Sequence, residues 1–246
     1  IYFLIRKHMI VSIFFLALSV LGKFYSLVLL PFYLQKSWLM AREKGRLGAV
    51  VFACYLTLFC GVITFFYLPF IDIGERTFEG LKTYSTDWQS NDSLFAILLF
   101  FLKDMLKFGI DTEIPVFGNS MLLAKSIMAL VLLTIITYLL VKKVPSVDSP
   151  KGLMQNLFLV IALVFLISPV QNPWYLSWSV PFLCFFHSRA LILLTGLIGL
   201  YYLYFYFDYQ GMTQYSFWIV WLEYTPFYIY LTWELTKSKN NWTIQK

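Results

Sequence analysis

The chain has 246 residues: 60% are hydrophobic, 20% aromatic and 13% charged, with a net charge of +6 and a mean hydropathy of +0.72. A soluble domain is about 45–50% apolar and about 25% charged, so this composition excludes a water-soluble enzyme. Nor does the basic balance point to nucleic acid, because the Lys and Arg residues sit in short gaps between apolar runs, as the positive-inside rule describes.

At about 20 apolar residues per crossing, the length predicts roughly six to eight helices. The expected fold class is all-α, a polytopic transmembrane helix bundle over 1–236 with a polar cytoplasmic tail at 237–246. Apolar runs fall at 9–34, 47–70, 93–108, 119–141, 153–168, 174–187, 190–208 and 215–236, with no strand alternation and no internal repeat. The first is interrupted by Gly22 and Lys23 and carries Pro31, so it reads as one tilted span or as two half-helices. Cys54, Cys60 and Cys184 lie inside apolar runs without a CxxC pair, and are expected to be buried packing residues. The opening at Ile1 lacks the features of a signal peptide, and the chain reads as a fragment without its first helices.

Charge suggests an orientation. Lys36, Arg42, Lys44 and Arg46 in 35–46, Lys142, Lys143 and Lys151 in 142–151, and Lys237, Lys239 and Lys246 in the tail are expected to be cytoplasmic. The gaps 168–173 and 208–215 carry no Lys or Arg and are expected outside. Counting crossings from both ends then puts both ends of 71–118 outside. Run 93–108, short and carrying Lys103, Asp104 and Lys107, is expected not to cross but to lie as an interfacial or re-entrant helix in one external region, 71–120.

Charges at membrane depth cost about 2.5–3.5 kcal/mol at mid-span, so each needs a reason. Lys23 either snorkels to an interface or faces a lipid phosphate, while Lys125, near the start of its run, is expected to snorkel. Glu223, in Trp221-Leu222-Glu223-Tyr224-Thr225-Pro226, lies within a turn of the interface or serves a site.

The region 72–92 gathers Asp72, Glu75, Glu79, Asp87 and Asp92, any of which could act as a base or bind a metal, although a solvated loop is the ordinary fate of such acids. Within 84–93, aromatic, amide and hydroxyl side chains alternate, as suits a sugar's CH faces and hydroxyls; a loop capped against a re-entrant helix is the plainer reading. In 168–178, Pro169 and Pro173 break the helix, Gln171 and Asn172 supply polar groups, and Trp174, Tyr175 and Trp178 follow. This is either a tight turn with an aromatic belt or the polar bottom of a pocket opening outward. No phosphate-binding loop, HExxH or GxSxG motif is present, and His8 and His187 stand alone beside Lys7 and Arg189. Asn91 and Asn241 each begin a glycosylation sequon.

Three pieces together resemble a family. Lys23-Phe24-Tyr25-Ser26-Leu27-Val28-Leu29-Leu30-Pro31 looks like the Lys-to-Pro segment of GT-C-type glycosyltransferases, and Trp88-Gln89-Ser90-Asn91-Asp92-Ser93 looks like their Trp-x-x-Asn-x-Ser loop. Pro169-x-Gln171-x-Pro173-Trp174-Tyr175-x-x-Trp178 looks like their Pro-x-x-x-x-Trp-Tyr-x-x-Trp turn, and Glu223-Tyr224-x-Pro226 also fits. The resemblance is to the bacterial mannosyltransferase-like members that use polyprenyl-phosphate sugars.

It implies transfer of a sugar, mannose foremost, from a polyprenyl-phosphate carrier to a glycan or lipid acceptor at the outer face of a bacterial plasma membrane. It implies substrate-binding roles for Lys23, Trp88, Asn91, Gln171, Asn172, Trp174, Tyr175 and Glu223. It also places the principal catalytic acid in a first external loop with no counterpart here, which leaves Asp72 and Asp87 as weak substitutes. No cofactor is required by the residues quoted, and a divalent metal, Mg or Mn, stays open. A transporter or flippase, or a polymer ligase using the same carrier, is the rival class.

Overall fold

The computed structural model describes residues 1–106, 120–141 and 149–237. Among these the α-helices are α1 Tyr2–Ile5, α2 Met9–Gly22, α3 Leu30–Arg42, α4 Gly48–Tyr67, α5 Glu79–Thr86, α6 Leu94–Phe100, α7 Ser120–Val141, α8 Pro150–Ile167, α9 Pro173–Leu176, α10 Val180–Leu183, α11 Arg189–Leu197, α12 Tyr202–Tyr209 and α13 Ser216–Lys237. No strand occurs among the described residues, only an isolated bridge between Ser90 and Val170. Among the described residues four helical stretches are long and apolar enough to cross a membrane: Gly45–Thr86 around α4, α7, α8, and Arg189–Tyr209, which joins α11 to α12. The chain is thus an all-α protein of membrane type. Lys107, Lys142, Lys143, Lys239 and Lys246, the second sequon at Asn241 and the last part of the 71–120 region before Ser120 lie outside the described residues.

The helices fall into two units. The first comprises 1–85 and 132–160. Here α4 packs along α2 and α3. Run 9–34 is not one span: α2 stops at Gly22, Lys23 is extended (φ −155°, ψ 123°), and a 3-10 stretch Phe24–Leu29 leads into α3. A 2.6 Å bond between the Ser19 and Ser26 hydroxyls closes over the break. The basic stretch 35–46 is mostly helical as well, because nothing between Phe32 and Arg42 breaks a helix; Lys36 is buried inside α3 instead of lying in a loop. Gln35 donates from Nε2 to the Leu140 carbonyl at 2.8 Å, tying α3 to the far end of α7. The turn into α4 is close. A Cβ on Gly48 would stand 2.7 Å from the Ala41 carbonyl oxygen, so only glycine lets these two backbones approach.

The outward faces of α4 are apolar, with Val50 and Phe65 exposed, a surface that a bilayer rather than water solvates. Cys54 and Cys60 sit there too, and Cys184 is also exposed. The expectation that the three thiols are buried is therefore corrected: in a membrane helix an apolar neighbourhood does not imply an interior position.

The second unit comprises 86–131 and the chain from 161 onward. One hydrophobic cluster joins α6, the π turn Phe101–Met105 and the start of α7 through Phe95, Leu102 and Ala124. α6 with its π turn is only about 18 Å long at 1.5 Å per residue, short of a bilayer of about 30 Å. α11 packs along α13. The N-terminus of α11 is capped by Glu234 of α13, whose carboxylate accepts from the Arg189 and Ala190 amides at 3.0 and 3.1 Å and from the Ser188 hydroxyl at 3.2 Å.

Run 174–187, counted as a crossing in the sequence, is instead two single turns, α9 and α10. α9 begins at Pro173 and α10 has Pro181 as its second residue; neither proline has an N–H to continue a preceding helix. The alternation of sides that the sequence suggests thus passes through a segment shorter than a span.

Candidate functional site

The site is built in the second unit, where the loop 88–93 meets the turn 168–172. The Ser90 amide donates to the Pro169 carbonyl and the Gln171 amide donates to the Ser90 carbonyl, both at 2.9 Å. Two segments about 80 positions apart are thereby joined main chain to main chain, and side chains complete the joint. Ser90 donates from Oγ to Asn172 Oδ1 at 3.1 Å. Asn91 donates from Nδ2 to the Gln171 carbonyl at 3.2 Å and to Glu223 Oε2 at 2.8 Å. Asn91 adopts φ 51°, the left-handed region that asparagine tolerates better than most residues, and that turn aims its amide at α13.

Gln171 is fully buried and its amide is spent internally. Its Nε2 donates to the Leu166 and Ser168 carbonyls, both at 2.9 Å, and its Oε1 accepts from Ser93 at 3.1 Å. These two carbonyls close α8, where helix-end oxygens have no partner of their own. The single Ser93 proton goes to Gln171, so in the 2.7 Å pair with Tyr228 the tyrosine donates. Gln171 therefore holds the site in shape and does not itself reach into a cavity.

Beside this joint lies a pocket of about 340 Å³, lined by Gln89, Ser90, Asn91 and Asp92 and, on the other side, by Tyr201, Tyr204, Phe205, Ile219 and Val220. The volume lies at the lower end of the range for small-molecule sites, about 300–1,000 Å³. Asp92 is buried, and Gln89 Nε2 donates to its two oxygens at 3.0 and 3.3 Å. Burial pushes the Asp92 carboxyl up to about 6, and the Gln89 hydrogen bonds hold it down only in part.

Of the residues implicated by the sequence, Asn91, Gln171, Asn172 and Glu223 are brought into one hydrogen-bonded cluster. Trp174 meets Tyr201 of the pocket lining edge-on at 6.2 Å, and Tyr175 packs on Trp178 at 5.1 Å. Trp88 is half-exposed, and its carbonyl accepts from Lys125 Nζ at 3.4 Å while that of Thr86 accepts at 2.8 Å. Lys125 thus carries its ammonium to loop carbonyls near the start of α7. Asp87 is exposed beyond the end of α5 and does not line the pocket. Lys23 and Asp72 belong to the first unit, both exposed.

Asp92, Tyr201, Tyr204 and Tyr228 were not singled out as site residues by the sequence. Asp92 was one of five acids in a loop, and only its burial distinguishes it. Among the described residues no group of three or more His, Cys, Asp or Glu is placed to hold a metal ion. Asp92 and Glu223 flank Asn91, whose two amide hydrogens go to the Gln171 carbonyl and to Glu223.

No family model matches the chain, and no curated protein or solved structure matches it.

Proposed function

We propose that the chain belongs to an integral membrane glycosyltransferase that moves a sugar, mannose foremost, from a polyprenyl-phosphate carrier to a glycan or lipid acceptor at the outer face of a bacterial plasma membrane. The observation that carries this reading is a convergence. The three second-unit stretches with a GT-C-type look, at Trp88–Ser93, Pro169–Trp178 and Glu223–Pro226, lie far apart in sequence and assemble around one polar and aromatic pocket. A transporter or a scaffold does not call for that convergence.

The chemistry asks for few parts. An acceptor hydroxyl attacks the sugar carbon, a base takes its proton, and the carrier phosphate leaves with the bonding electrons. A polar pocket beside apolar helices suits a substrate with a sugar head and a lipid tail. Both halves of the site are bonded together, so they share one membrane face; the freedom of 168–173 from Lys and Arg supports the outer one.

The test uses membranes containing the full-length protein, radiolabelled polyprenyl-phosphate mannose, its glucose and arabinose equivalents, and a mixed acceptor extract. Label is expected to pass from one of these donors to acceptor. Absence of transfer from all three overturns the reading.

A further inference from the structure

The pocket beside Asp92 is divided by chemistry. On its polar side most hydrogen-bond donors are already committed: one Gln89 Nε2 hydrogen is shared between the two Asp92 oxygens, Ser90 Oγ goes to Asn172, and both Asn91 Nδ2 hydrogens go to Gln171 and Glu223. What that side has left to offer is chiefly acceptors, namely Gln89 Oε1, Asn91 Oδ1 and the remaining lone pairs of the Asp92 carboxylate. Among the described residues no Lys or Arg lines the cavity, and a second carboxylate, Glu223, stands behind Asn91. The opposite side is mostly apolar, with Phe205, Ile219 and Val220 beside the rings of Tyr201 and Tyr204, whose hydroxyls are its polar groups. Tyr201 and Phe205 meet at 89° and Tyr204 and Phe205 at 86°, both edge-to-face contacts.

A ligand suited to this space donates hydrogen bonds from one edge and presents CH groups on one face. A sugar ring does both; a phosphate does neither and meets an anionic floor without a cation. We propose that this pocket holds the uncharged sugar ring of the acceptor, and that the donor's phosphate binds elsewhere. The words acceptor and donor rest on the transferase reading above; the ligand's chemistry rests on the pocket alone.

The experiment uses the full-length protein in lipid nanodiscs. Methyl α-mannoside, methyl β-glucoside and methyl α-arabinofuranoside are each titrated by saturation-transfer NMR, with inorganic phosphate and tetramethylammonium as competitors. At least one glycoside is expected to bind saturably, with affinity falling about tenfold or more in Tyr204→Ala and in Asp92→Asn, and with neither competitor displacing it. Failure of all three glycosides to bind, displacement by phosphate, or displacement by tetramethylammonium overturns the inference, the last by making the pocket a cation site.

The same nanodiscs then report transfer. If glycosides bind as described but no donor supports transfer, the pocket inference stands and the transferase reading falls. If transfer occurs and Tyr204→Ala leaves the acceptor KM unchanged, the transferase reading stands and the pocket inference falls. Melting temperature checks that each variant is folded, and Tyr204→Phe, which keeps the ring, is expected to restore binding.

Discussion

Asn91 Nδ2 lies 2.8 Å from Glu223 Oε2, a hydrogen bond between a loop and a long helix across 132 positions of sequence. It places the one non-glycine left-handed residue of the site against a fully buried carboxylate. The amide of Asn91 stabilises that carboxylate, and Glu223 in turn holds the loop that carries Asp92.

Removing the amide should therefore cost stability. Asn91→Ala is expected to destabilise the protein by about 2–4 kcal/mol, because a buried carboxylate loses a donor. In a Glu223→Gln background the same change should cost distinctly less, since no charge is stranded. Melting of the four proteins in one detergent checks this; equal losses in the two backgrounds would refute it.

Gln171 and Trp88 should separate. Gln171→Ala removes two donors to the end of α8 and one acceptor for Ser93, and is expected to cost about 2–4 kcal/mol together with yield of folded protein. Trp88→Ala removes a half-exposed ring and should leave the melting temperature within about 2 °C. A stable Gln171→Ala protein would show that the joint does not need its amide.

The carboxyl of Asp92 is raised in the folded protein from 3.8 to about 6. A group with a raised folded value adds stability that is full below its unfolded value and is lost as pH rises through the folded one. Between about pH 4 and pH 7 this group alone should lower stability by up to about 3 kcal/mol. The titratable groups around it are Tyr201 and Tyr204 across the pocket, with Glu223, Tyr224 and Tyr228 on α13 behind the loop. Melting curves of wild type and Asp92→Asn at pH 4.5, 5.5 and 7.5 should converge at the acid end, with the variant more stable at pH 7.5. A constant offset across the three pH values would exclude Asp92 as the cause.

Two glycines of α4 make an internal comparison. Gly48→Ala pushes a Cβ into the Ala41 carbonyl and should destabilise by about 1–3 kcal/mol. Gly61→Ala meets nothing within 4 Å and should be neutral or slightly stabilising through helix propensity. Similar melting temperatures for the two would mean the turn before α4 relaxes freely.

The sequence carried the helical class because apolar runs near bilayer length have few other solutions, and α4, α7 and α8 begin and end within a few residues of the runs that predict them. It misjudged 174–187 because hydropathy counts apolar residues and is blind to the breaks that Pro173 and Pro181 make at the heads of new turns. It also gave Cys54 and Cys60 an interior they lack, since the apolar side of a membrane helix faces outward as readily as inward. At the site, Asn91, Gln171, Asn172 and Glu223 were legible because amides and acids are conspicuous against an apolar chain. Their division of labour was not. Only the hydrogen-bond partners reveal that Gln171 is consumed in bracing the turn, while Asp92, inconspicuous among five loop acids, faces the cavity.

The bridge between Ser90 and Val170 is made of main-chain atoms alone. Its main-chain bonds do not depend on side-chain identity, whereas the Ser90 hydroxyl bond to Asn172 and the burial of Val170 add constraints of their own. A distant cousin of this chain could share the architecture of the site with few of its letters, and would be found by the pairing of a pre-helical loop with a proline-flanked turn. Spelling is the more perishable record here; the seam between two backbones is the durable one.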